Sequence, residues 1–177
     1  MAQKALSLDD SQPYSYTLFA TIYTLQKQHV KAIASAEQAV ELSPNLDNTA
    51  YTLGFALRSA GRPEEAIPLL EKAIRLNPWP HFLWYVTLGR AYFLSGRYEK
   101  AMATYRKAVE GNADFRDAHV GLASTFALLG REKEARSEAA EILRIDPNFT
   151  ITKYAKFMQF QVGIEPEIEG LRKAGLP

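Results

Sequence analysis

The side chains that could do acid–base chemistry are two carboxylate pairs and three histidines: Glu64 and Glu65, Glu132 and Glu134, and His29, His81 and His119. Paired carboxylates can act as general acid and base. Both pairs, however, fall in the first turns of predicted helices, where the helix dipole alone favours acidic side chains. No G-x-S-x-G motif, glycine-rich phosphate loop or acidic metal cluster accompanies them. The sequence therefore predicts no catalytic residue and a chain that is not an enzyme.

The composition excludes several further classes of function. The chain has 177 residues, 21 Lys and Arg against 20 Asp and Glu, and no cysteine. With this balance the chain has no net electrostatic field that would attract a polyanion. Three widely spaced histidines, without any thiolate, argue against a metal site. No apolar run approaches the roughly 20 residues of a membrane helix, and the polar start does not resemble a secretory signal. We expect a cytoplasmic protein with no metal, cofactor, small-molecule substrate, nucleic acid or membrane contact.

Small residues recur at a fixed interval, which indicates an internal repeat. Two series share steps of 34, 35 and 34 residues, and prolines close three of the units. Several series in one register indicate stacked structural units rather than one globular core. The repeat positions are Ala20, Gly54, Gly89 and Ala123; Ala32, Ala66, Ala101 and Ala135; and Pro44, Pro78 and Pro147.

The residues around these positions resemble the tetratricopeptide (TPR) pattern, W-x2-L-G-x2-Y followed by A-x3-F and P. The third unit is nearest, because it reads Y-x2-L-G-x2-Y over 85–92 and A-x3-Y over 101–105. The resemblance covers roughly residues 13 to 148. It implies an all-α fold, an α-α superhelix (TPR solenoid) of about four helix-turn-helix repeats, with a partial N-terminal repeat and a C-terminal capping helix pair.

We predict a single TPR domain over residues 1–177, with units over 13–46, 47–81, 82–115 and 116–149. Residues 1–12 match the end of a preceding repeat, since Lys4–Leu8 aligns with Lys72–Leu76, so the chain is expected to begin inside a truncated unit. Residues 150–177 should form the cap, with helices over 151–161 and 167–173. Trp79, between two prolines, is expected to pack over the junction of the second and third units.

By resemblance to TPR proteins, the second, fifth, ninth and twelfth positions of each unit line a concave groove, and we call this surface of the first helices the lining face. Large aromatic side chains next to arginine are typical of binding hot spots. The alternative is that Phe55 and Phe93 fill space between helices or bury against the cap. The predicted groove residues are Asn48, Tyr51, Phe55, Arg58, Val86, Arg90, Phe93, Asp117 and Val120.

These residues predict a non-catalytic protein–protein interaction scaffold that binds a peptide or partner segment in the groove. Chaperone-binding TPR domains clamp a terminal carboxylate with Lys and Asn, but Thr17 and Thr21 stand at the corresponding positions of the first unit. An adaptor for chaperone tails is therefore disfavoured. Self-association through the first unit or the N-terminal edge is a second possibility.

The C-terminal end carries a second resemblance. Residues 145–149 (IDPNF) and 170–177, which include L-R-K-A-G-L-P, are similar to the end of bacterial signalling proteins in which a class III adenylate/guanylate cyclase domain or a DNA-binding domain precedes a TPR array. This resemblance implies a regulatory TPR region of a larger signalling enzyme. The cyclase catalytic domain itself is not in this chain.

Overall fold

The computed structural model describes residues 12–177, so the predicted partial repeat lies outside the described residues except for Gln12. Every regular element in this range is an α-helix. The ten helices are α1 (Pro13–Leu25), α2 (His29–Leu42), α3 (Asp47–Ser59), α4 (Pro63–Leu76), α5 (Phe82–Leu94), α6 (Tyr98–Gly111), α7 (Arg116–Leu128), α8 (Glu132–Ile145), α9 (Ile151–Phe157) and α10 (Glu165–Lys173). None of them is both long and apolar enough to span a membrane. The all-α prediction is confirmed.

The first eight helices form four hairpin-like pairs joined by short turns. Their first helices begin at Pro13, Asp47, Phe82 and Arg116. Three of the four turns place a glycine at positive φ, for example 76° at Gly61, because the residue after a helix C-cap adopts the left-handed conformation. The first pair has Lys27 at the equivalent position, with φ of 62°.

The described part of the chain divides into two compact units, residues 12–79 and 80–177. In the N-terminal unit the pairs α1–α2 and α3–α4 pack together, and α3 also contacts α1 and α2. Gly54 permits the close approach of α3 and α4, since a Cβ there would lie 2.7 Å from Cγ of Leu70. This distance is far shorter than a normal carbon–carbon contact, so the buried Leu70 side chain would have to shift to accommodate any Cβ at this position.

The C-terminal unit is organised around Tyr105 of α6, which is fully buried. A Cβ at Gly89 of α5 would lie 2.6 Å from Cε1 of Tyr105, and a Cβ at Gly121 of α7 would also collide with this ring. The phenol ring thus occupies the space that two glycines leave open on two neighbouring helices. All eight alanine and glycine repeat positions are buried, and the three repeat prolines lie in turns.

The cap departs from its predicted bounds. Helix α9 ends at Phe157 instead of residue 161, and turns follow up to Gly163, whose φ is 77°. Helix α10 begins at Glu165, two residues earlier than predicted, with Pro166 in the first turn where its missing N–H costs nothing. The early end of α9 lets the chain reverse, and α10 packs mainly against α7.

The expectation for Trp79 is wrong, because its side chain is 89% exposed. Its backbone N–H donates to Oδ1 of Asn77 at 2.9 Å, which forms a local turn between Pro78 and Pro80. This turn and the two fixed proline φ angles restrict the local backbone, and the indole lies in solvent.

Candidate interaction surface

In the N-terminal unit, the lining face of α3 carries an aromatic pair. The rings of Tyr51 and Phe55 are stacked, with centroids 6.3 Å apart and planes 11° apart. The guanidinium of Arg58 lies 5.3 Å from the Phe55 centroid, a cation–π distance. Tyr51, Phe55 and Asn48 are half-buried, whereas Arg58 is buried and donates to Oγ of Ser59 at 3.2 Å.

The lining face of α1 has no charged side chain and few available donors. The hydroxyls of Thr17, Thr21 and Thr24 donate to backbone carbonyls one turn earlier in the same helix, at 2.8–2.9 Å. Only Tyr14 projects far into solvent, with 59% of its surface exposed. This part of the face can therefore offer apolar contact and shape rather than a carboxylate clamp.

In the C-terminal unit, the predicted groove residues are not open to solvent. Val86, Arg90, Phe93 and Val120 are buried, and the side chain of Asp117 is only 15% exposed. Phe93 packs edge-on against Tyr98, with ring centroids 5.5 Å apart. For Phe93 the alternative, in which its side chain fills space within the fold, therefore describes the arrangement.

Arg90 is the centre of a buried polar network. Its Nε donates to Oε1 of Glu167 at 3.2 Å, and its Nη2 donates to Oη of Tyr154 at 2.6 Å. The Tyr154 hydroxyl in turn donates to Oε2 of Glu167 at 3.0 Å, which closes a ring of three side chains. Asp117 adds a carboxylate 3.7 Å from Nη2 of Arg90. A buried charge is tolerated when it is paired and hydrogen-bonded in this way.

The electrostatics follow from this geometry. Burial disfavours the charged guanidinium, but Tyr154, Glu167 and Asp117 together hold the pKa of Arg90 well above its ordinary value. Burial raises the pKa of the Tyr154 hydroxyl well above its usual range, although Arg90 acts in the opposite direction. Arg90 is therefore a permanent cation and Tyr154 a neutral donor.

Helix α10 makes a second close contact with the same face. A Cβ at Gly170 would lie 2.6 Å from the backbone oxygen of Ser124, the ninth residue of α7. The helices approach to backbone contact there, and only glycine fits. Sequence reasoning missed both Glu167 and Gly170, although the acid at 167 shares a helical stripe with the apolar Ile168 and Leu171.

Comparisons with known proteins identify the repeat. Three tetratricopeptide-repeat family models match residues 14–78, 51–115 and 92–158, which together span the four helix pairs and α9. This chain belongs to the tetratricopeptide-repeat family. Anaphase-promoting complex subunit 3 of Schizosaccharomyces pombe is 31% identical over 113 residues, which are 63% of this chain and 17% of that protein. The TPR repeat-containing protein YpiA of Bacillus subtilis is 28% identical over 118 residues, 67% of this chain and 27% of YpiA.

Solved TPR structures share the fold. PilW, a type IV pilus biogenesis factor, has a TM-score of 0.79 at 21% identity, covering 96% of this chain and 79% of PilW. YrrB, described as a TPR protein with an unusual peptide-binding site, has a TM-score of 0.67 at 22% identity, covering 98% and 90%. These matches confirm the predicted TPR solenoid class. The chain spans about a quarter or less of the length of the two curated relatives named above.

The acid–base candidates of this TPR protein are paired or exposed, except for His29, which is half-buried with no hydrogen-bond partner at Nδ1. Glu65 pairs with Arg62 and Glu134 with Arg131, both as neighbours three residues apart on exposed surfaces. His119 is buried, with Nδ1 2.6 Å from Oε2 of Glu138 and Nε2 2.9 Å from the carbonyl oxygen of Ala113. The described residues contain no group of three or more His, Asp or Glu side chains that could hold a metal.

A cavity of about 350 Å³ lies beside α9 in the C-terminal unit. Phe149, Tyr154 and Phe157 form its aromatic walls, and Arg116 and Lys153 bring positive charge. Arg116 is already paired, however, since it donates to Asp117 and Asp146 at 3.0–3.2 Å. The Nζ of Lys153 donates to the carbonyl of Asn148. The cavity therefore has aromatic walls, and the cationic groups beside them are already hydrogen-bonded within the chain.

Proposed function

We propose that this TPR chain is a non-catalytic interaction scaffold that binds a peptide or partner segment on its lining face. The observation that carries the proposal is that the lining face of the C-terminal unit already holds a helix. Helix α10 is bound there by the buried Arg90–Glu167 pair and the backbone contact at Gly170. The surface thus has the shape and the buried charge needed to hold a polypeptide segment.

The N-terminal unit offers the same class of surface in a more accessible state. Tyr14 is exposed, and Tyr51 and Phe55 are half-buried at positions equivalent to the buried ones of the C-terminal unit. Aromatic side chains of this kind dominate binding energies at interfaces. Among the related proteins, one is named as a subunit of a multiprotein complex and another is described by its peptide-binding site, which supports a binding role here.

The test is a peptide-display selection against the full chain, followed by affinity measurement with the selected peptides. The double substitution Tyr51→Ala and Phe55→Ala should weaken their binding by about tenfold or more, because an aromatic hot spot contributes more than about 1–2 kcal/mol. The matched control is Val30→Ala with Leu42→Ala, two exposed apolar residues on α2. Unchanged affinity in a folded Tyr51/Phe55 variant would remove this face of the N-terminal unit from the proposal.

Self-association is a second candidate, favoured by an apolar strip on α1. Leu18 and Leu25 are 53% and 56% exposed. Their equivalents in α3, Thr52 and Ser59, are buried. Leu18 is also equivalent to Gly121, which faces Tyr105 of the preceding helix. A second copy could cover the strip.

Light scattering should then show a dimer that Leu18→Glu with Leu25→Glu dissociates, and a monomer at high concentration would eliminate this function.

The regulatory alternative also stays a proposal. The resemblance to cyclase-type signalling proteins concerns residues 145–149 and 170–177, which include the end of α10. Reading the gene upstream of Met1 tests this directly, because the alternative requires a signalling domain in the same reading frame. The absence of such a domain from that reading frame would eliminate it.

A further inference from the structure

Helix α10 has the residue pattern of a bound ligand helix. Its buried side is formed by Glu167, Ile168, Gly170 and Leu171, and its other side carries exposed charged residues such as Glu169 and Lys173. An amphipathic helix laid into a groove by residues three and four positions apart is a recurring mode of peptide recognition. Here the groove is the lining face of the C-terminal unit.

Two contacts define which helix fits. The carboxylate of Glu167, 1% exposed, meets the guanidinium of Arg90 and the hydroxyl of Tyr154. One turn later, Gly170 lies against the backbone of Ser124, where any Cβ would collide. A ligand helix therefore needs an acid and a glycine three residues apart. Two different helices contact these two residues of the ligand helix. Arg90 of α5 binds the acid, and the Ser124 backbone of α7 leaves room only for glycine.

The attachment of α10 is concentrated on one neighbouring helix. It packs mainly on α7 and only slightly on α8 and α9. A turn segment over 158–164 leads into it, and beyond α10 the carbonyl of Pro177 accepts a hydrogen bond from the N–H of Ile151 at 2.6 Å. The hairpin pairs α5–α6 and α7–α8 make their own extensive contacts, so α10 can leave the face without separating the helices of either pair.

We propose that the lining face of the C-terminal unit is a binding site for a partner helix that presents Glu-x-x-Gly, and that α10 is its intramolecular competitor. This inference rests on the proposed function and names the ligand class at one of its surfaces. While α10 is docked, the site is closed. The apparent affinity for the partner helix is then the intrinsic affinity reduced by the small fraction of molecules in which α10 has left.

The test uses the full chain and a fluorescent synthetic peptide of residues 163–177 as the probe. The variant Gly170→Leu introduces a side chain against the Ser124 backbone and should release the chain's own α10. Its affinity for the peptide should exceed that of the unchanged chain by about tenfold or more. A Glu167→Gln peptide, which lacks the charge that faces Arg90, should bind the same variant more weakly. Equal peptide binding by both chains, or binding by neither, would overturn the proposal.

A second measurement guards against loss of folding in the Gly170→Leu chain. Hydrogen exchange of the unchanged chain should show α10 amides exchanging faster than α7 amides, through local opening. Exchange of α10 at the same rate as α7 would make α10 an integral part of the unit and would also overturn the proposal. This result is separable from the Tyr51/Phe55 experiment, which concerns the N-terminal unit, so either hypothesis can fail alone.

Discussion

At the scale of single residues, Arg90 shows how burial changes the meaning of a predicted binding side chain. From the sequence it is a charge-assisted donor on a groove wall. In the structure it is 5% exposed and bound by Glu167 and Tyr154. Removing one partner of such a pair leaves an unpaired buried charge, which is costly. The same residue is thus a structural anchor while α10 is docked, and in our proposal it is the group that binds the acid of a partner helix once α10 has left.

Lys27 carries a local strain that the other turns avoid. It has φ of 62° where the equivalent residues are Gly61, Gly96 and Gly130. The left-handed conformation costs a non-glycine residue about 1–2 kcal/mol. Lys27→Gly should therefore raise the free energy of unfolding by up to about 1 kcal/mol in urea titrations. Gln26→Gly, one residue earlier at φ of −83°, is the control, and a comparable gain from it would contradict the argument.

His119 should make stability depend on pH. The hydrogen bond to Glu138 raises its pKa above the ordinary 6.5; burial acts against this, and the Ala113 carbonyl adds to it. A raised pKa means that the stabilisation is complete below about pH 6.5 and is lost as pH rises through the folded-state pKa.

We expect the free energy of unfolding, measured by urea titration, to fall as pH rises above about 6.5. The variant His119→Gln should lack this part of the pH dependence. An identical profile in both proteins would show that His119 is not its source.

At the scale of elements, α4 contains a proline in its interior, where proline destabilises a helix. Pro68 is the sixth residue of the helix and is exposed. Beyond the first turn, proline removes a backbone hydrogen bond and clashes with the preceding turn. Pro68→Ala should therefore stabilise the protein by about 1–3 kcal/mol in chemical denaturation. Pro63→Ala, at the first helical position where proline is well tolerated, should give no such gain. A destabilised Pro68→Ala would mean that the ring makes a packing contact that outweighs these costs.

At the scale of the whole molecule, the repeat array should not be uniformly stable. The buried residues of α2 are three alanines, while Val30 and Leu42 are exposed. Helix α7, by contrast, buries ten residues, among them Leu122 and Phe126. In repeat proteins stability is approximately a sum of local and nearest-neighbour terms. Poorly packed repeats therefore open first.

Native-state hydrogen exchange with peptide-level mass spectrometry should find the lowest helix protection in α2 and much higher protection in α7, with local opening in α2 and near-global opening in α7. The thin core of α2 is the physical reason, because few buried apolar contacts resist its opening. Protection of α2 equal to that of α7 would show that the array unfolds as one cooperative block.

The sequence by itself determined the repeat, the helix pairs and the family, because these depend on short-range spacing. Alanine or glycine must stand where two helices touch, as at Gly54 and Gly89, and that requirement recurs with every unit. It also determined that α1 lacks the Lys and Asn of a carboxylate clamp, because this depends only on which residue types stand at Thr17 and Thr21.

Only the tertiary structure decided which lining positions are open. The bond between Arg90 and Glu167 joins residues 77 positions apart, and no local pattern connects them. Whether α10 extends away or folds back depends on the chain reversal after Phe157, on the space left at Ser124 and on the unpaired charge that Arg90 would otherwise bury. These are long-range packing and electrostatic terms. Together these contributions hold α10 on a surface that the repeat pattern alone predicts to be an open groove.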